Sequence, residues 1–213
     1  PDTEYKAFSE YEAMADKHDY ISAVPFKVSN KESIAKNLAI YSGFTEGLQL
    51  FSSFAILLNF PRFGKMKGMG QIVTYSIRDE SLHVEAMTNL FREFMKENIH
   101  LWTDDFKKEI YQACREMVKL EDKFLDLVFE MGDIQGLTKS EMKEYIRYIA
   151  DRRLLQLGLK PNFEVKDNPL SWLDDVLGVE HQNFFEGRAT TYMKGGIKGN
   201  IETVQFKSLR LED

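Results

Sequence analysis

The chain has 213 residues, 43% of them hydrophobic and 29% charged, with five prolines; this is the composition of one ordinary soluble globular domain with room for long helices. Its formal net charge of -6 offers no general attraction to nucleic acid or to an anionic membrane surface, both of which need a basic patch. A single cysteine, Cys114, excludes an intrachain disulfide, fits a reducing cytoplasm and is expected to be an inert helix residue.

Taken in chain order, Tyr5, Phe8, Tyr11 and Met14 recur at helical spacing and predict a short helix within residues 1–20, with no secretory leader before it. Ser29 and Glu32 have the S-x-x-E form of a capping box, which starts a helix expected to run to about Asn59. That helix contains the most apolar run of the chain, "LQLFSSFAILLNF", which falls short of the ~20 residues a membrane span needs and so predicts a buried core helix. Pro61 and Gly64 then turn the chain, and a second long helix is expected over 65–99.

A third helix starts near Thr103 and carries Phe106, Ile110, Met117, Leu120, Phe124, Leu127 and Phe129 toward Gly132. Thr138 and Glu141 repeat the capping-box form and open a fourth, to about Leu157. Short helices are expected at 169–177 and 180–194, and from Gly195 the helical period gives way to a glycine-rich, extended tail with one possible short strand at 200–206. The fold class is all-α. Trp102 and Trp172 read as packing anchors.

Glu80 and His83 stand three residues apart, so both leave one face of the second long helix and can reach a single ion. Glu46 lies within the very apolar first helix, where an unpaired carboxylate would be expensive to bury. The midpoint between positions 46 and 80 is Phe63, inside the turn, so the two arms are nearly equal at roughly 25 Å each and antiparallel packing brings Glu46 level with Glu80 and His83. Two carboxylates and an imidazole converging in an apolar layer suit a divalent transition metal. The alternative is a buried ion pair between Glu46 and Arg78. Glu97 and His100 repeat the E-x-x-H form but lie about 25 Å further along; His18 and His181 lack a carboxylate at matching spacing and read as polar or interfacial histidines.

Di-metal carboxylate proteins of ferritin-like fold use one Glu from each of two helices and a Glu-x-x-His from each of two others, and this chain carries one such half. The stretches "FTEGLQLFSSFAILLNFPRFGKMKGMGQI", "SIRDESLHVEAM", "YIADRRLLQLGL" and "NPLSWLDDVLGVEHQNFFEGRATTY" resemble, in order, the C-terminal portion of the small, radical-generating subunit of class I ribonucleotide reductase. The resemblance implies a ferritin-like helical domain over 1–194, the C-terminal part of the bundle without its first-half helices, followed by an extended tail over 195–213. It implies that Glu46, Glu80 and His83 are ligands of a dinuclear iron or manganese centre (Fe/Fe, Mn/Fe or Mn/Mn). Asp79 matches the aspartate that hydrogen-bonds a ligand histidine from the other half and joins the radical-transfer route. Phe54 would line the apolar pocket near the radical.

The implied partners are a polypeptide supplying the first-half helices, the large reductase subunit and a second copy of the complete small subunit, with no nucleic acid and no membrane. The first-half ligands and the radical-bearing tyrosine of the family have no counterpart here, and neither Tyr nor Trp follows Tyr192, although members usually carry a tail tyrosine. Two other functions stay open on the residues: a two-metal oxidase of a small apolar ligand, and a metal-free helical interaction module.

Overall fold

A computed structural model describes residues 10–23 and 30–175. Positions Tyr5, Phe8, Ser29 and His181, the helix expected over 180–194 and the tail with its short strand lie outside them. Six α-helices carry the architecture, α1 (Glu12–Ala23), α2 (Lys31–Ile40), α3 (Phe51–Arg62), α4 (Lys67–Glu97), α5 (Asp104–Val128) and α6 (Lys139–Gln156), and residues 171–175 are also helical, within the short helix expected over 169–177. Among these residues the only β-type pairing is an isolated bridge between Ile134 and Leu137.

Helix starts follow local chemistry. Thr138 caps α6 and Glu141 reaches back to the Thr138 N–H in a full capping box, while Thr103 accepts from Phe106 N at the head of α5. At α2 the cap sits one residue later than the S-x-x-E pattern indicates. Asn30 accepts from Ser33 N at 2.8 Å and donates its own N–H to Ser33 Oγ at 3.2 Å, because an asparagine beside the first turn forms the same reciprocal pair.

The helix expected to run unbroken to Asn59 is interrupted. After Ile40 the chain winds as a π-helix over Tyr41–Glu46, passes through a turn at 47–50 and resumes as α3. Gln49 N donates to Phe44 O, five residues back, and Phe51 N to Leu48 O, three back. Such wide turns concentrate at functional positions. This segment is the hub of the molecule, packed against α2, α4, α5 and α6. Gly43 permits a close approach to the end of α6, since a Cβ there would lie 3.0 Å from Leu157 Cδ1.

Pro61 lies inside the last turn of α3, and the reversal is made by Gly64 and Met66, both in the left-handed region (φ 74° and 47°). Close packing of the hairpin depends on Gly70, where a Cβ would fall 2.3 Å from Pro61 Cγ. The hairpin tip is tied to the α5–α6 loop: Asn59 Nδ2 donates to Gln135 O, Arg62 donates to Gly136 O, and the Arg62 guanidinium lies over Trp172 at 4.1 Å.

The core runs through all these elements. Phe44, Leu48, Ile110, Met117, Leu125 and Ile146 are fully buried, each worth about 1.5–3 kcal/mol relative to exposure. Trp102 packs edge-on against Phe91 and is tilted against Phe106, in keeping with a packing role. Cys114 is fully buried, and burial pushes its thiol up to about 12, so it stays protonated at neutral pH. On α1 the buried residues are Ala13 and Lys17 with half-buried Tyr20, whereas Tyr11 is exposed; the bundle accepts a lysine there because Glu121 and Phe124 of α5 and the Gln49 carbonyl in the turn supply its partners.

Candidate metal centre

Glu46 ends the π-helical stretch, and Glu80 and His83 stand mid-way along α4. The hairpin brings all three together: each offers a ligand atom, and these atoms lie within 4.8 Å of one another. His83 Nδ1 is 3.8 Å from Glu80 Oε2. Both carboxylates are half-buried while the His83 side chain is 60% exposed, so the cluster lies at a face of the hairpin rather than in its centre. Oxygen and imidazole donors at this spacing suit a divalent first-row cation, which would neutralise two carboxylates held in a partly apolar layer. Three protein donors leave part of a first-row cation's coordination shell open toward that face.

That open side is apolar. Ile72, Tyr75, Leu82 and Leu90 are exposed along α4 on the stripe that also carries Asp79 and His83. Asp79 is exposed and Phe54 half-buried, its ring edge-on to Phe51 at 5.9 Å. Arg78 is half-buried. Glu97 and His100 are both exposed; α4 ends at Glu97, and His100 falls in the short turn Ile99–Leu101, so that second E-x-x-H does not lie on one helix. His18 is exposed beside Asp19.

Two buried charged groups escape the sequence reading. The Glu121 carboxylate, with no exposed surface, pairs with Lys17 and accepts the Ser52 hydroxyl, and burial holds its pKa above the ordinary value against the pull of Lys17 and Ser52. Arg153 is 8% exposed and donates from Nε to Gly47 O at 2.8 Å, one residue after Glu46. Burial brings its pKa down to about 10, which leaves it charged at neutral pH. A signal for Arg153 exists in its spacing, since Ile146, Ala150, Arg153 and Leu157 fall on one helical stripe. For the break itself the signal is the pair Gly43 and Gly47 within an apolar helix.

The model of the family described as "Ribonucleotide reductase, small chain" matches residues 1–169. The chain belongs to that family. It is 41% identical over 217 residues to a probable ribonucleoside-diphosphate reductase small subunit of invertebrate iridescent virus 3, covering 94% of this chain and 58% of the relative. The corresponding protein of invertebrate iridescent virus 6 is 41% identical over 247 residues, covering 97% of this chain and 68% of the relative. The chain therefore spans about three-fifths of these viral relatives. Among solved structures, a Bacillus halodurans protein assigned to class I ribonucleotide reductase superposes with a TM-score of 0.76 at 27% identity, over 82% of this chain and 63% of that one. The ribonucleotide reductase R2 subunit from Clostridium botulinum gives 0.72 at 27% identity, over 82% and 56%. The small-chain fold is thus the expected all-α, ferritin-like one, and no helix among the described residues is long and apolar enough to cross a membrane.

Proposed function

We propose that the chain is the C-terminal part of a ribonucleoside-diphosphate reductase small subunit, and that Glu46, Glu80 and His83 hold its share of a dinuclear iron or manganese centre. The observation that carries this is the meeting of those three side chains within 4.8 Å, from two segments of one hairpin, in a chain of this family. When bound, the metal pair would supply the one-electron oxidising chemistry from which a large subunit reduces ribonucleotides to deoxyribonucleotides.

The residues of this chain have separate tasks. Glu46 and Glu80 contribute anionic oxygens from facing elements and His83 a neutral nitrogen, so the site favours a borderline cation over calcium or magnesium. Asp79, beside Glu80 and exposed, would orient an imidazole arriving from another helix by accepting its N–H. Phe54 and Phe51 exclude water from the apolar side. The exposed stripe Ile72, Tyr75, Leu82 and Leu90 is where the remaining helices of the bundle pack, bringing the missing ligands with them. The complete subunit would form a homodimer in the cytoplasm and engage the large subunit.

The test is metal content. The chain purified with a polypeptide supplying the first-half helices is expected to retain iron or manganese in stoichiometric amount. Glu46→Ala and His83→Ala should each reduce retention strongly while the helical circular-dichroism signal stays unchanged. Anomalous scattering should peak between the three side chains. No metal in the assembled wild type would instead identify a metal-free helical interaction module.

A further inference from the structure

Glu46 occupies an unusual piece of backbone: a π-helical stretch ends on it, and the turn that follows leaves carbonyls without the regular helical donor. Two buried cations take them. The Gly47 carbonyl accepts from Arg153 Nε on α6 at 2.8 Å, and the Gln49 carbonyl accepts from Lys17 Nζ on α1 at 3.2 Å.

Arg153 is committed to this task. Its other polar partner is Gln156 Oε1 at 2.8 Å, its guanidinium lies 4.9 Å from the centre of the Phe51 ring, and among the described residues no carboxylate forms an ion pair with it. A guanidinium buried without a carboxylate is expensive, so it persists only where fixed dipoles hold it. Gly47 is matched to it. A Cβ at Gly47 would meet Gly43 O at 2.5 Å, Ser42 O at 2.7 Å and Arg153 Nε at 2.8 Å, so the absence of a side chain is what lets the guanidinium reach the backbone.

We infer that Arg153 is a positioning residue for the metal centre: by gripping the Gly47 carbonyl it fixes the helix break, and thereby the direction in which Glu46 meets Glu80 and His83. This rests on the proposed metal-binding role of those three residues. A positioning role and a purely electrostatic one differ in sign. Removing a nearby positive charge would by itself tighten cation binding, whereas releasing the break weakens it by letting the Glu46 carboxylate wander.

The experiment titrates Mn(II) into the assembled small subunit and follows free and bound ion by electron paramagnetic resonance. It compares wild type, Arg153→Met, Arg153→Lys and Met142→Ala, the last a core truncation at the far end of α6. Arg153→Met is expected to weaken binding about tenfold or more, the scale for residues that orient a metal ligand, and to change the bound-ion spectrum. Met142→Ala is expected to lower Tm and leave affinity and spectrum alone. Wild-type or tighter binding by Arg153→Met, or an equal loss in Met142→Ala, overturns the inference. Should Arg153→Met not fold, Arg153→Lys decides, with an altered spectrum and weaker binding expected and wild-type behaviour overturning it. Wild type that binds neither Mn(II) nor Fe(II) sinks the metal reading instead, before any variant is compared.

Discussion

Replacing Lys17 by Met isolates the energetics of the buried ion pair. Methionine keeps most of the stem length, so the loss is mainly electrostatic: the ion pair with Glu121, the bond to Gln49 O, and the contact with the Phe124 ring, whose centre is 4.7 Å from Nζ. Leaving a fully buried carboxylate without its cation should destabilise the chain by about 3–5 kcal/mol while that carboxylate is ionised. Glu121 has an escape, because burial already raises its pKa above 4.5 and removal of Lys17 raises it further. Between the unfolded pKa and the raised folded one, the native state keeps a proton that the unfolded chain has released. Stability of the variant therefore falls as pH rises, by up to about 1.4 kcal/mol per unit. Urea unfolding at half-unit steps from pH 5 to 8 reads this slope directly. The double variant Lys17→Met with Glu121→Gln, which keeps an acceptor for Ser52, should recover most of the loss at pH 8. A pH-independent penalty, or single-variant losses that simply add, would refute the assignment of the energy to the pair.

Two further predictions rest on single contacts. Gly70→Ala places a methyl 2.3 Å from Pro61 Cγ and should lower stability by about 1–3 kcal/mol in urea melts through forced opening of the hairpin. Thr138→Ala removes the α6 cap and should cost about 1 kcal/mol near neutral pH. Hydrogen bonds from the Thr138 side chain and backbone hold the Glu141 pKa below its ordinary value, so their contribution is complete above the unfolded pKa of 4.5 and is lost as pH falls through the folded one. The Thr138→Ala penalty measured at pH 7 should accordingly exceed that measured at pH 3.

Much of the helical order was legible because its causes are local. Thr103 and Thr138 announce α5 and α6 through bonds spanning three residues, and the apolar spacing from Phe106 to Phe129 states which side of α5 faces inward. The meeting of Glu46 with Glu80 and His83 also follows from arithmetic along two arms of one hairpin, once Phe63 is placed at its tip.

What the sequence determined by itself was the succession of helices, most of their caps and the level at which the three candidate ligands meet, since each depends on neighbours a few residues away or on counting along a rod. The tertiary structure alone decided that the first rod breaks at Glu46, that Arg153 and Lys17 take the carbonyls beyond the break, and that Glu121 lies buried in charged form or protonated according to pH. Those features pair residues 106, 32 and 69 positions apart. A buried charge is tolerable only where such a distant partner arrives, and nothing within one helical turn of the sequence records its arrival.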